Sequence, residues 1–295
     1  MNTEELTINN RRSYIGITTA LLVATLITLA ASPATRHVSG IPVFAICAAV
    51  AFIIQWAAFI PAYLKQTERY FDITGSITYI SVILLSLLLS APTDARGWLI
   101  ATFATIWTVR LGWFLFSRIK KAGHDRRFTV IKPDAPRFFM TWTLQGLWVI
   151  LTLACGLAAI TATEKVTLGW TALLGTLLWA TGFTIEVIAD AQKAKFKANP
   201  NNAERFIAEG LWKYSRHPNY LGEILLWIGI AIIAAPALTG WQYATLISPV
   251  FVWLLLMKIS GVPMLETYAQ SKWGQDPDYQ QYHASTPPLV PRLWC

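Results

Sequence analysis

Charge is scarce in this sequence: Asp, Glu, Lys and Arg make up only 14% of its 295 residues, whereas 55% are apolar. An ordinary soluble domain carries about 25% charged residues, so this balance excludes one and reads as an integral membrane protein. Histidine is scarcer still. Its four copies, His37, His124, His217 and His283, lie too far apart to build a histidine-clustered di-iron oxygenase. Cys47, Cys155 and Cys295 offer neither a disulfide framework nor a zinc spacing. Two of these thiols sit in apolar runs, which makes packing their expected role, and no metal site is expected. No two glycines stand two apart, so the Gly-x-Gly nucleotide fingerprint is missing. Any nucleotide has to be held by the helices themselves.

What the chain has instead is apolar runs near residues 14–31, 41–64, 73–91, 97–117, 138–162, 168–189, 220–236 and 241–259. Each is about long enough to cross a ~30 Å hydrocarbon layer as a helix. The expected fold is therefore an all-α, polytopic membrane bundle of seven or eight spans, the seventh run being the shortest. No long polar segment, composition break or repeat divides the chain. Residues 1–295 are expected to form one membrane domain, with N-terminal helices over 14–162 that shape a substrate site and a C-terminal cofactor-binding core over 163–295.

Basic residues alternate between the loops. Arg11 and Arg12, Lys65 and Arg69, seven from Arg118 to Arg137, six from Lys193 to Arg216, and Lys258, Lys272 and Arg292 fall on one side; Arg36, Arg96 and Lys165 fall on the other. Because Lys and Arg accumulate in cytoplasmic loops, both termini are expected to be cytoplasmic. This asymmetry explains most of the formal charge of +8, and no nucleic-acid partner is needed. The first run is too long and too late for a cleavable signal and reads as a retained helix.

The stretch SRHPNYLGE, residues 215–223, gathers polar side chains at the mouth of the seventh run. Pro218 suits the first turn of a helix. The free N–H groups of that turn, beside Lys213, Arg216 and His217, make a place for an anion. Arg216, Tyr220 and Glu223 share one helix stripe and Asn219 an adjoining one, which puts Glu223 about one turn inside the bundle. The plainer reading of Arg216 and His217 is membrane anchoring. A second stripe joins Gly175, Gly182, Glu186, Asp190, Lys193 and Lys197. Its glycines admit a close neighbour, and its acids point to a ribose or an amide, or else to pairing with lysines on the same helix.

Arg110 is the one basic residue well inside a span. It is expected either to pair with a carboxylate such as Asp72 or Glu186 or to touch a ligand. Lys120, Lys121, Arg126 and Arg127 are candidate phosphate contacts in a loop whose charge also serves orientation. The polar, aromatic ending from Leu265 to Trp294 suits a segment lying along the membrane surface and capping the mouth.

The stretch RFIAEGLWKYSRHPNYLGEILLWIGI resembles the C-terminal core of steroid 5α-reductase-like membrane proteins, and most of all their bacterial DUF1295 branch. The likeness runs from about Ile53 to the end. The Arg-His-Pro-x-Tyr element and the ending also resemble isoprenylcysteine carboxyl methyltransferases. The reductase resemblance implies that Asn219, Tyr220 and Glu223, with Asp190, help bind NADPH, and that Lys197 suits its phosphates; it also implies a bacterial inner membrane. Steroid reductases polarise the substrate carbonyl with a Gln-Glu pair and a Tyr. Gln55 keeps the Gln, but Trp56 and Trp107 stand in place of the Glu and the Tyr.

Reduction of an activated double bond needs a hydride donor and a hydrogen-bond donor on the carbonyl, where negative charge develops. Gln55, Tyr70, Asp72 and Arg110 are the candidates for the second role. Glu186, Asp190, Lys197, Arg216, His217, Asn219, Tyr220 and Glu223 are the candidates for holding the cofactor. Trp56, Phe59, Trp107 and Phe114 suggest a lipophilic substrate such as an enone, sterol or isoprenoid. The alternative is methyl transfer from S-adenosylmethionine, which Arg216, His217 and Tyr220 would serve. A third reading is a non-enzymatic lipid-binding or transport protein, although the interrupted half-helices expected of a transporter are not evident.

Overall fold

Apolar runs of this length have to satisfy their backbone within each segment, and the chain does so with helices. The computed structural model describes residues 3–122, 125 and 128–291. Arg126, Arg127 and the side chain of Lys121 lie outside the described residues. Helices α1 (Thr3–Ala31), α2 (Val43–Leu64), α3 (Phe71–Leu89), α4 (Ala95–Ala122), α5 (Ala135–Thr161), α6 (Trp170–Ala198) and α7 (Pro218–Ala234) are followed by the shorter α8 (Ile247–Leu254), α9 (Val262–Trp273) and α10 (Pro277–Ser285). A two-residue antiparallel pair, β1 (His37–Val38) with β2 (Ile41–Pro42), is the only sheet among the described residues. Eight helical stretches of the described residues are long and apolar enough to cross a membrane. The protein is thus an all-α polytopic bundle, and the short seventh run is among the eight, as Pro218–Ala237. The eighth is not one regular helix: 3-10 turns over Gly240–Leu246 lead into α8 and then a π turn over Leu255–Ile259.

By its internal contacts the chain divides into two compact units, residues 1–169 with 234–248, and residues 170–233 with 249–295. In the first, α5 is the central element and packs against α1, α2, α3 and α4. Asp134 caps it, accepting from Arg137 N at 3.2 Å. Two of the sparse cations tie one end of this unit together. Arg36 Nη1 donates to Ala91 O at 3.0 Å, and the buried Arg96 donates to Val166 O at 3.3 Å and Thr167 O at 2.7 Å. At another loop the buried Glu68 accepts from Lys132 Nζ at 2.5 Å and from Asp125 N at 2.9 Å. Burial pushes the Glu68 carboxyl up, but these two donors outweigh it and hold it below the ordinary carboxylate value.

The second unit is organised by glycine. Gly175 and Gly182 of α6 face Gly229 and Gly222 of α7, each pair seven residues from the next. A Cβ placed on Gly182 would lie 2.5 Å from Gly222 O and 2.6 Å from Leu226 N, and one on Gly229 would lie 2.6 Å from Gly175 O. The helices therefore meet backbone to backbone, the small-residue packing on which association within lipid depends. The expected stripe is borne out as far as packing goes: Gly175, Gly182, Glu186 and Asp190 are all buried.

Gly182→Ala is expected to destabilise the protein by about 1–3 kcal/mol through overpacking, read as a lower melting temperature in detergent. Gly169→Ala, where the added methyl meets nothing within 4 Å, should leave it unchanged.

Candidate functional site

Below the glycine contact, α6 continues as a polar helix, and the segment after it folds back onto α6. Gln192 Oε1 accepts from Leu211 N at 2.9 Å, and Trp212 Nε1 donates to Ala189 O at 3.0 Å. Gly210 makes this turn possible at φ +59°, where a side chain would be strained. The Lys193 ammonium lies 4.3 Å from the centre of the Trp212 ring, a cation–π placement. The chain then reaches Arg216 and His217 and enters α7 at Pro218, as its sequence predicts.

The ending from α9 to residue 291 packs against this segment. Trp273 Nε1 donates to Glu204 O at 2.6 Å and Lys272 Nζ to Ala203 O at 2.9 Å. Phe206 meets Trp273, Tyr279 and Tyr282 with ring centres 5.3–6.1 Å apart. Tyr282 donates to Trp212 O at 2.7 Å. Burial pushes the Tyr282 phenol well above its ordinary pKa, against the pull of Arg216; burial, with Glu266, raises Tyr279 too.

Glu266 of α9 is the hub of the contact. Its Oε1 accepts from Arg216 Nε at 2.9 Å and lies 2.9 Å from His217 Nε2, while its Oε2 lies 2.7 Å from His283 Nε2 of α10. Arg216 uses Nη1 as well, donating to His283 O at 2.6 Å and Thr286 O at 2.9 Å. His217 is 6% exposed and stacks on Tyr220, with the rings inclined by 13°. Burial lowers the pKa of His217, and Glu266 only partly restores it. Its Nδ1 is buried and has no hydrogen-bond partner in the protein.

These elements line a cavity of about 180 Å3 with the aromatic rings of Phe196, Phe206, Trp212, Tyr268, Trp273, Tyr279 and Tyr282 and with Lys193, Lys197, Arg205, Arg216, His217 and Glu266. Of the candidates for cofactor binding, Lys197, Arg216 and His217 line it. Glu186 and Asp190 are instead buried on the α6 face that carries the glycines. Asn219, Tyr220 and Glu223 lie half-buried on the first two turns of α7. Sequence reasoning passed over Glu266 and His283, which stand 49 and 66 residues beyond His217. The one signal was the polar, aromatic ending, already read as a cap.

The four candidates for proton donation belong to the first unit. Gln55 is fully buried on α2 and its Nε2 donates to Thr78 Oγ1 at 2.8 Å, leaving Oε1 without a protein partner. Asp72, on the first turn of α3, pairs with Arg118 at 3.9 Å, and Tyr70 just before it is exposed. The Arg110 guanidinium lies 5.4 Å from the Phe114 ring centre. Trp107 is fully buried against Tyr79 and Trp148, and Trp56 donates to Thr143 Oγ1 at 3.1 Å.

Arg216→Lys keeps the charge but cannot reproduce three directed N–H bonds. It should loosen α10 and the residues after it by about 1–3 kcal/mol, seen as faster amide exchange over residues 277–288 than over α6.

The family described as "Protein of unknown function (DUF1295)" matches residues 58–286. An uncharacterized protein of Schizosaccharomyces pombe, C594.04c, is 24% identical over 233 residues, which cover 67% of this chain and 64% of that protein. The chain thus spans less than two-thirds of the length of this curated relative. No solved structure shows significant similarity. With more than three-quarters of its length matched, the chain belongs to the DUF1295 family.

Proposed function

We propose that the protein is an NADPH-dependent membrane reductase of an activated double bond in a lipophilic substrate of steroid, sterol or isoprenoid type, as the resemblance to steroid 5α-reductase-like proteins implies. The observation that supports it is the lining of the second unit's cavity, where four cationic side chains face one carboxylate among seven aromatic rings. Cations favour a ligand rich in phosphate, and rings favour a planar heterocycle. S-adenosylmethionine brings a sulfonium and no phosphate, so the same lining opposes it. A volume of about 180 Å3 lies below the roughly 300–1,000 Å3 of whole-ligand pockets and suits one ring of a dinucleotide.

In this reading NADPH, when bound, supplies the hydride. Lys197, Arg205 and Lys193 offset phosphate charge, and the aromatic walls keep water from the ring. Glu186, Asp190, Asn219, Tyr220 and Glu223 are proposed to contact its polar groups. Gln55, Tyr70, Asp72 and Arg110 remain the proposed donors to the substrate carbonyl. The excess of basic residues in alternate loops favours a cell-membrane protein with both termini and this cavity on the cytoplasmic side.

Titration calorimetry in detergent should show NADPH binding and little or no binding of S-adenosylmethionine, with Arg205→Ala weakening NADPH about fivefold, as expected for one exposed charge pair. Binding of S-adenosylmethionine alone would favour methyl transfer. With Trp56 and Trp107 in place of the carbonyl-polarising acid and phenol, turnover of testosterone or progesterone should fall about 100-fold or more below that of an enzyme that has such donors. NADPH oxidation with product mass measures this, and robust turnover that survives Gln55→Ala would refute it.

A further inference from the structure

A carboxylate that takes two histidines and an arginine at once spends most of its acceptor capacity on them, so its task is read from what it holds. Glu266 Oε1 is bonded to Arg216 Nε and His217 Nε2, each at 2.9 Å, and Oε2 to His283 Nε2 at 2.7 Å. An ionised carboxylate only accepts. His217 Nε2 therefore carries the proton, and in the neutral ring Nδ1 is left as a bare lone pair. The rest of the ring is fixed too. Tyr220 stacks on its face at 5.5 Å between centres, and His217 N donates to Ser215 Oγ at 3.3 Å.

His217 lines the cavity, and its Nδ1 is buried with no protein partner. Buried polar atoms in folded proteins nearly always have a partner, so an orphan on a ring that lines a hollow points to a ligand group. Its surroundings sharpen the point. Lys193, Lys197, Arg205 and Arg216 can only donate, and three of the four acceptor sites of Glu266 are taken by Arg216, His217 and His283. The charged or titratable groups facing the ring are Lys193 from α6, Arg216 from its own segment, Glu266 from α9 and, through Glu266, His283 from α10. Burial first, and then the two cations, favour the neutral ring against the pull of Glu266, and the carboxylate decides which nitrogen bears the proton.

We propose that Glu266 is a positioning residue that locks His217 as a hydrogen-bond acceptor at Nδ1, so that the cavity selects a ligand ring bearing an N–H donor. This rests on the nucleotide reading, in which two groups have that chemistry: the exocyclic amine of adenine and the carboxamide of nicotinamide. A ring that offers only an acceptor there meets the lone pair head-on and is rejected, as sites built for one hydrogen-bond partner reject analogues that lack it.

The test uses the full chain in detergent. Nitrogen-15 NMR of histidine-labelled protein, with His217→Asn to assign the signal, should show Nε2 protonated and Nδ1 bare. Glu266→Gln should give mixed tautomers, and Glu266→Asp should restore the original one in part. Calorimetry then compares NADPH with its hypoxanthine analogue, which lacks the adenine amine, and with its acetylpyridine analogue, which lacks the carboxamide N–H. One of the two should bind about tenfold or more weakly to the unaltered protein. That difference should shrink to about twofold or less in His217→Ala and in Glu266→Gln, and the analogue affected identifies the donor. An Nδ1–H tautomer in the unaltered protein, or discrimination that persists in both variants, would overturn the proposal. Correct tautomers without any NADPH binding would overturn the nucleotide reading and leave the role of Glu266 toward His217 supported.

Discussion

Four glycines set the geometry on which the second unit depends. Gly175 and Gly182 meet Gly229 and Gly222 so closely that a single methyl group would strike the facing backbone. In hydrocarbon there is no hydrophobic gain from bringing two helices together, because lipid is as apolar as the side chains. Close backbone approach has to supply the attraction through dispersion and weak polar contacts. Once α6 and α7 are fixed in this register, everything carried beyond the glycines is fixed as well. Glu186 and Asp190 are buried on the contact face, Lys193 and Lys197 follow on the next turns, and His217 stands at the start of α7.

A second constraint acts on charge. The cavity gathers more cations than carboxylates, an arrangement that repels itself until something negative is supplied. Glu266 supplies part of it from the far end of the chain, joining Arg216, His217 and His283. Arg216 extends the tie to the backbone carbonyls of His283 in α10 and of Thr286 just after it. The ending is therefore a wall of the cavity, held there by directed, charge-assisted bonds. Lys193, Lys197 and Arg205 add further positive charge to the lining.

The first unit makes a different use of polar side chains. Arg36 and Arg96 are spent on backbone carbonyls at one end, and Glu68 with Lys132 closes another loop. Gln55 and Thr78 bond to each other inside the helices. Such pairs make polar groups tolerable away from water. They also show why a polar residue within a span is a weak guide to chemistry on its own: the same amide that suits a substrate carbonyl is engaged here with a neighbouring hydroxyl.

Much of this was legible in the sequence. Run length and the shortage of charge pointed to seven or eight helical spans, because a segment that crosses hydrocarbon must bond its own backbone. Pro218 marked the start of α7, and the seven-residue spacing of Gly175 and Gly182 marked the face that a neighbour would approach. These are local or periodic features, and each is written in one segment. The partner of that face was not written there, nor was the splitting of the eighth span into 3-10, α and π turns. Tertiary structure alone decided that Glu266 and His283, 49 and 66 residues after His217, would meet it, and that Arg216 would be held from within. Hydrogen bonds and ion pairs act over a few ångströms of space and are indifferent to separation along the chain, so no local pattern could announce them.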